Sequence, residues 1–309
     1  MKRFVALLFA LTMLCAAALA EGEFPELNEQ GFLDEGEFVY ENADDGIWRY
    51  VSETLKVEIK KYVQSSPKRI WYEAEVWTNG DEAFHMIPAN PDDRMGGDEW
   101  PYMIARENRT VLAINSDYAQ NRIDSKKEKT GIIIRDGEIL FEETKGANTN
   151  GFPNLDTLAL LPGGDMQVFL SNEKTAEEYL AMGAYDVLAF GPYLIRDGEL
   201  NEFGLETYGL SHAQRTAIGM VEPGHYFAMM LEGRHSKSSG DGISFLAEKL
   251  YERGCTQAFN LDGGATSCIV FMGKQLNISN AEYPRASARG TAEILGIGTS
   301  ELVRMPEEE

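Results

Sequence analysis

The sequence predicts an α+β protein, a single sheet-rich mixed domain with a few packed helices, and three observations carry that reading. Two long segments, Val51 to Val63 and Arg69 to Thr78, alternate with period two, and Ile70, Tyr72, Ala74 and Val76 face one way. Two near-identical stretches, Ile134-Arg135-Asp136-Gly137-Glu138-Ile139 and Ile195-Arg196-Asp197-Gly198-Glu199-Leu200, each place Asp-Gly between apolar runs. That dipeptide is a strong hairpin signal, because the tight turn needs positive φ at both central positions. Helical periodicity, by contrast, is confined to short stretches. Nothing else recurs at the spacing of the two Asp-Gly segments, so they read as hairpins and not as a repeat architecture.

In chain order, Val111-Leu112-Ala113-Ile114 is a continuous apolar run, as a strand buried on both faces would be. Thr175 to Met182 suits a short helix capped by Asn172 or Thr175. Arg215 to Val221 and His225 to Leu231 read as strands paired across a Pro223-Gly224 turn. Ile243 to Arg253 carries Ile243, Leu246 and Leu250 on one helical face, and Gly254 ends it. Gln257 to Leu261 and Cys268 to Met272 are two further strands. No linker divides the chain. The expected organisation is a leader at 1–20, an acidic and loosely ordered segment at 21–47, N-terminal strands of the same domain at 48–110, the core at 111–300, and an acidic tail at 301–309.

The first twenty residues read as an export signal. Lys2 and Arg3 are basic, Phe4 to Leu14 is apolar, and Ala18-Leu19-Ala20 is a small-x-small cleavage site before Glu21. The apolar run falls short of the ~20 residues of a spanning helix, so no stable membrane insertion is expected after cleavage. The 309-residue chain carries 50 acidic against 28 basic residues. Such a surface repels nucleic acid and anionic lipid, and a phosphate-bearing ligand would need a local basic exception. Cys255 and Cys268 sit in apolar contexts and read as buried free thiols at least as readily as a disulfide. His85, His212, His225 and His235 show no metal-ligand spacing, and neither a cofactor nor a metal is expected.

The chemistry-bearing segment is Asn260-Leu261-Asp262-Gly263-Gly264-Ala265-Thr266-Ser267. A strand ends on an amide and a carboxylate, two glycines free the backbone, and a hydroxyl follows. Such a loop can offer consecutive N–H groups to an anion, with Asp262 at its edge as acid, base or nucleophile. Asn115-Ser116-Asp117 ends the buried strand with polar groups, and Arg215-Thr216 opens another. Arg234, after Glu232-Gly233, is a further phosphate candidate, whereas Arg289 reads as solvated surface charge.

Together with Phe190-Gly191-Pro192 and Ser238-Ser239-Gly240, these segments resemble the phosphodiester glycosidase family from about Val111 to Ile297. The resemblance implies a phosphodiester glycosidase-like fold and hydrolysis of a sugar-1-phosphodiester, with a carbohydrate phosphodiester as substrate. Residue by residue it points to Asn115 and Asp117, Arg215 and Thr216, and Asn260, Asp262, Gly263 and Gly264. The family usually has glycine where Ser116 stands, glycine then serine where Ala265 and Thr266 stand, and aspartate where Glu232 stands. In the implied reaction Arg215, as a bidentate donor, stabilises the departing phosphate with the Gly263 and Gly264 amides and the Thr216 hydroxyl. Asp262 or Asp117 activates water or attacks the anomeric carbon. Asn115 and Asn260 orient sugar hydroxyls or the carboxylates, and Thr266 keeps the hydroxyl of the glycine loop. Two other classes stay open, a non-catalytic glycan-binding protein of the same fold and a metal-dependent exported phosphodiesterase.

Overall fold

A computed structural model of the chain describes residues 24–90, 98–117, 131–142, 155–279 and 288–303. Residues 1–20, expected to be an export leader, and the residues after 303 lie outside that set. The chain opens with a meander of β1 (Phe38–Asn42), β2 (Ile47–Val51), β3 (Leu55–Ser65) and β4 (Lys68–Thr78), followed by β5 (His85–Pro88). Helix α1 (Pro101–Glu107) precedes β6 (Thr110–Asn115), and hairpins β7–β8 (Ile133–Arg135, Glu138–Phe141) and β9–β10 (Asp156–Leu161, Asp165–Phe169) follow. Then come α2 (Ala176–Ala181), β11 (Asp186–Phe190), hairpin β12–β13 (Tyr193–Arg196, Glu199–Leu200) and α3 (Glu202–Thr207). Hairpin β14–β15 (Arg215–Glu222, His225–Leu231), α4 (Ile243–Glu252), β16 (Gln257–Leu261), β17 (Ile269–Phe271), β18 (Lys274–Gln275) and β19 (Glu293–Thr299) complete it.

These strands form a nine-stranded sheet in the order β1-β2-β3-β4-β15-β14-β16-β12-β13 and two five-stranded sheets, β10-β9-β11-β7-β8 and β18-β17-β6-β19-β5. Alternation places Ile70, Tyr72, Ala74 and Val76 of β4 in one buried cluster with residues of all three sheets, among them Ile218, Phe259, Ile114 and Leu188. On the other face of the large sheet, Ile243, Leu246 and Leu250 of α4 pack against Ala217, Met229 and Ala258. α4 starts at Gly242 with no side-chain cap, so its apolar stripe holds it in place. Burial of this kind stabilises by roughly 25 cal/mol per Å² of apolar surface.

The local signals act where they stand. Both Asp-Gly turns have positive φ at each central residue, 49° and 74° at Asp136-Gly137 and 53° and 81° at Asp197-Gly198. Thr175 closes a reciprocal capping box with Glu178. β6 is buried along its whole length. Cys255 and Cys268 are both free and buried, in different clusters.

Strand pairing extends into the acidic segment expected to be loosely ordered. Within it Phe38, Val39 and Tyr40 supply apolar and aromatic groups between the acids, and β1 pairs with β2 over Phe38 to Asn42. Phe24 packs edge-on against Phe38, and the Arg49 guanidinium covers the Phe24 ring. The Tyr50 hydroxyl donates to Glu37 Oε2 at 2.9 Å. Side-chain chemistry at a few positions overrides the average acidity of the segment.

The turn after β15 is held by close backbone approach. A β-carbon on Gly240 would collide with the Ala213 carbonyl, and one on Gly233 would lie 2.8 Å from Ala213 C. Gly240 also has a φ of +75°. The two glycines therefore let the 232–241 turn lie against Ala213-Gln214, the approach to β14. Gly240→Ala is expected to lower stability by about 2–4 kcal/mol, read as a lower urea midpoint by circular dichroism. An unchanged midpoint would show that the turn relaxes freely.

Candidate active site

The ends of β6, β14, β15 and β16 converge. β14 is antiparallel to both β15 and β16, so Arg215 at its start lies beside Leu231 at the end of β15, and Thr216 lies beside Leu261 at the end of β16. The chain then crosses from β16 in the large sheet to β17, which pairs with β6 in a small one. Residues 262–268 make that crossing. The Asn115 amide pins both ends of it. Asn115 Nδ2 donates to the Asp262 carbonyl at 2.7 Å, and Asn115 Oδ1 accepts from the Cys268 amide at 3.0 Å. The Asp262 amide donates to the Ser116 carbonyl. Fully buried with both ends of its amide engaged, Asn115 holds the backbone that carries the Asp262 carboxyl, which agrees with the carboxylate half of its expected role, and it is not placed to orient a sugar.

Asp262 is 5 % exposed. Burial raises its carboxyl from 3.8 to about 7, Arg289, the Thr266 hydroxyl and the Gly263 amide pull it down, and the Asp117 charge adds to the rise. Asp117, itself buried, is thus near enough to be felt. The two carboxylates named from sequence share one site.

The glycine loop works differently from the sequence expectation. The Gly263 amide donates to Asp262 Oδ1 at 2.8 Å and the Gly264 amide to the Gln214 carbonyl at 3.0 Å. Those N–H groups are engaged within the protein and form no open nest. What the glycines supply is room. A β-carbon on Gly263 would lie 3.2 Å from Arg215 Nη1, and one on Gly264 would lie 3.4 Å from Arg234 Nη1.

Arg215 is anchored before any ligand arrives. Its Nη2 donates to the carbonyls of Gly209 and Ser211 at 3.0 and 2.8 Å, and its Nε to the Asp241 carbonyl at 3.4 Å. A two-pronged grip on a phosphate is therefore not what this side chain offers. It presents the Nη1 edge over Gly263. Burial, and then the neighbouring Arg234 charge, depress the guanidinium to about 10. Arg234 has a φ of +57° and is exposed, and its guanidinium has no acceptor among the described residues. Its neighbour Glu232 is a structural acid, accepting from the Ile278 amide at 2.9 Å and paired with His235 at 3.0 Å.

Thr216 and Arg215 project from opposite faces of β14, since successive strand residues alternate. Thr216 lies on the side of Ile218 and Met220, toward the large interior cluster, so it is not paired with Arg215 as a donor. Asn260 Nδ2 donates to the Gly191 carbonyl at 2.8 Å. The Thr216 Oγ1, Asn260 Oδ1, Ser267 Oγ, Gln214 Oε1 and Arg289 Nε atoms are all buried with no hydrogen-bond partner. Unsatisfied buried polar atoms are rare, and so many beside one loop mark a place where water or a ligand completes the bonding.

Arg289 overturns its reading as surface charge. It is partly buried, its Nη2 donates to Thr266 Oγ1 at 2.7 Å, and its amide donates to the Ala265 carbonyl. Thr266 thereby links Arg289 to the loop. Two further members escape a reading of the sequence. Ser116 Oγ donates to Glu293 Oε1 at 3.1 Å, and Glu293 is ion-paired with Arg135, so two distant segments brace the residue before Asp117. No local pattern announces such a network. Arg135 belongs to the hairpin expected of it, with this added tie. Among the described residues no group of three or more His, Cys, Asp or Glu side chains is arranged to hold a metal ion.

The raised Asp262 pKa fixes a stability effect. Between about pH 4 and 7 the folded state holds a proton that the unfolded state releases, so stability falls as pH rises through that window. Asp262→Asn removes the buried charge. It is expected to stabilise the fold at pH 8 by on the order of 2 kcal/mol and to change little at pH 4. Thermal unfolding at the two pH values checks this, and equal shifts at both would contradict it.

The sequence model of the phosphodiester glycosidase family matches residues 108–298, which contain every site residue named above. Among curated proteins, a Bacillus subtilis (strain 168) protein described as SPbeta prophage-derived uncharacterized protein YomE is 28 % identical over 176 residues, 56 % of this chain. The aligned part spans 26 % of that relative's length. Among solved structures, the zebrafish N-acetylglucosamine-1-phosphodiester alpha-N-acetylglucosaminidase catalytic domain, auto-inhibited by its pro-peptide, superposes with a TM-score of 0.60. That match has 16 % identity and covers 81 % of this chain and 85 % of the zebrafish one. A hypothetical protein from Synechocystis gives a TM-score of 0.54 at 15 % identity, over 80 % of this chain and 62 % of its own. At such identity the superpositions speak for a shared fold, and the match over 108–298 speaks for descent: the chain belongs to the phosphodiester glycosidase family.

Proposed function

We propose that this protein is an exported hydrolase that cleaves the glycosidic bond of a sugar-1-phosphodiester, with an N-acetylglucosamine-type sugar favoured, releasing free sugar and a phosphomonoester. The observation that carries the reading is the meeting of Arg215, Arg234 and Arg289 with Asp262 around Gly263-Gly264, in a chain of net charge −22. A glycosidase-type activity is what the family assignment supports, and the choice of sugar follows the zebrafish N-acetylglucosaminidase that shares the fold. Export rests on the sequence of the first twenty residues, and no helix among the described residues is long and apolar enough to cross a membrane.

Breaking the anomeric C–O bond leaves positive charge on the sugar and negative charge on the phosphate. The guanidiniums meet that negative charge as it develops, which is where fixed charge accelerates a reaction most. Asp262, protonated near neutrality, donates its proton to the leaving phosphate oxygen. A bound phosphodiester, itself anionic, holds that proton more firmly still. Asp117 acts as the carboxylate, either attacking the anomeric carbon or taking a proton from the water that does. Water delivers the new hydroxyl to the sugar carbon.

The test uses the chain from Glu21 onward with UDP-N-acetylglucosamine and an N-acetylglucosamine-1-phosphodiester in ¹⁸O-labelled water. Label is expected in the sugar. Label in the phosphate would establish a phosphodiesterase, and binding without turnover a glycan-binding protein. Asp262→Asn is expected to lower kcat/KM by about 10²–10⁴. In the wild type, kcat/KM is expected to fall as pH rises through about 7, with the loss of the Asp262 proton. A fall on the acid side of pH 7 instead would assign Asp262 as base or nucleophile.

A further inference from the structure

The charge around the Gly263-Gly264 turn does not balance. Arg215 Nη1 and Arg234 Nη1 lie against the two glycines, and Arg289 is joined to Thr266 two residues beyond. Among the described residues, the negative groups that face them are Asp117, Asp262 and Asp241. The Asp241 carboxylate is already ion-paired with Arg69, and His212 lies 3.8 Å from its other oxygen. Both Glu232 oxygens are engaged by Ile278, Tyr72 and His235. Asp262 sits near half-protonation at neutral pH. Against these, Arg234 has no acceptor among the described residues, and Arg289 Nε is buried without one. Burial of Arg215 and its repulsion by Arg234 both oppose holding these guanidiniums together, and a ligand of higher negative charge relieves more of that cost.

The reaction proposed above raises the charge on phosphorus. A phosphodiester carries one negative charge, and the phosphomonoester it becomes carries close to two above its second pKa of about 6. We infer that the Arg215–Arg234–Arg289 cluster is a product-retaining subsite, which binds a phosphomonoester dianion in preference to the diester substrate and subjects the protein to inhibition by phosphomonoesters and inorganic phosphate. Its role as a product site rests on the reaction proposed above, whereas the preference for a dianion rests on the guanidiniums alone. Arg234 is the member that sets the preference, because among the described residues its guanidinium has no acceptor, whereas the other two already donate to protein acceptors.

Isothermal titration at pH 7.5 on the chain from Glu21 compares methyl phosphate, a dianion, with dimethyl phosphate, a monoanion. Methyl phosphate is expected to bind about tenfold or more tightly. Arg234→Gln is expected to cut that ratio to below about threefold, while Lys60→Gln, an exposed strand position outside the site, leaves it unchanged. Equal affinity of the two ligands, or a ratio indifferent to Arg234→Gln, overturns the inference. Turnover is scored separately. Sugar release without the dianion preference sinks the subsite and leaves the reaction standing. A dianion preference without sugar release from any diester sinks the reaction, and with it the assignment of the dianion as product.

Discussion

The site depends on one side chain reaching across two sheets. Asn115, at the end of β6, grips the Asp262 carbonyl at one end of the crossing loop and the Cys268 amide at the other. That pair of bonds fixes both ends of the path that residues 262–268 take between the large sheet and the small one, and the bonds to Ser116, Gln214 and Arg289 hold it in between. Asp262, Gly263, Gly264 and Thr266 all ride on that path. The bonds lie in a fully buried place, where an unmade one costs the full desolvation of its group. Asp262 is thus a rigidly mounted carboxyl on what its glycines alone would make a pliable turn, and the arginines are aimed at a target that stays put.

Much of the fold was legible because its signals are local. Period two in β3 and β4, positive φ in the Asp-Gly turns and the reciprocal cap at Thr175 each need only a handful of neighbouring residues. The arrangement of sheets was not legible. β17 follows β16 in sequence yet pairs with β6, and β5 pairs with β19 from the far end of the chain. Helices α1 and α3 are too short to show a period. The same limit applies to the site. Asp262, Asp117, Arg215 and Arg234 could be named from residue type beside a glycine turn, and the structure brings them together. Which N–H groups and guanidinium edges remain available depends on tertiary partners, and there the expectations for the Gly263 and Gly264 amides, Arg215 and Thr216 changed. Arg289 and Glu293 reach the loop from distant sequence, and nothing near them marks their purpose.

Electrostatics ties these parts together. A strongly acidic chain concentrates guanidiniums at one loop beside the buried Asp262 carboxyl, whose protonation Arg289 modulates. Desolvation is the leading cause of the shift at both Asp262 and Arg215, with opposite signs of charge moved toward neutrality. The two are therefore poised by the same dry surroundings, and a ligand that neutralises one changes the other.

Two of the three cysteines, Cys255 and Cys268, carry a last consequence. Burial pushes both thiols up to about 12, so at neutral pH the reactive thiolate is present at only about one part in 10⁵. Cys255 packs with α4 and Cys268 with α1 and β6, in separate clusters. Among the described residues both thiols are shut away from solvent, and no covalent cross-link joins them. The contacts of these two thiols are in this sense indifferent to redox compartment: none of them depends on a disulfide.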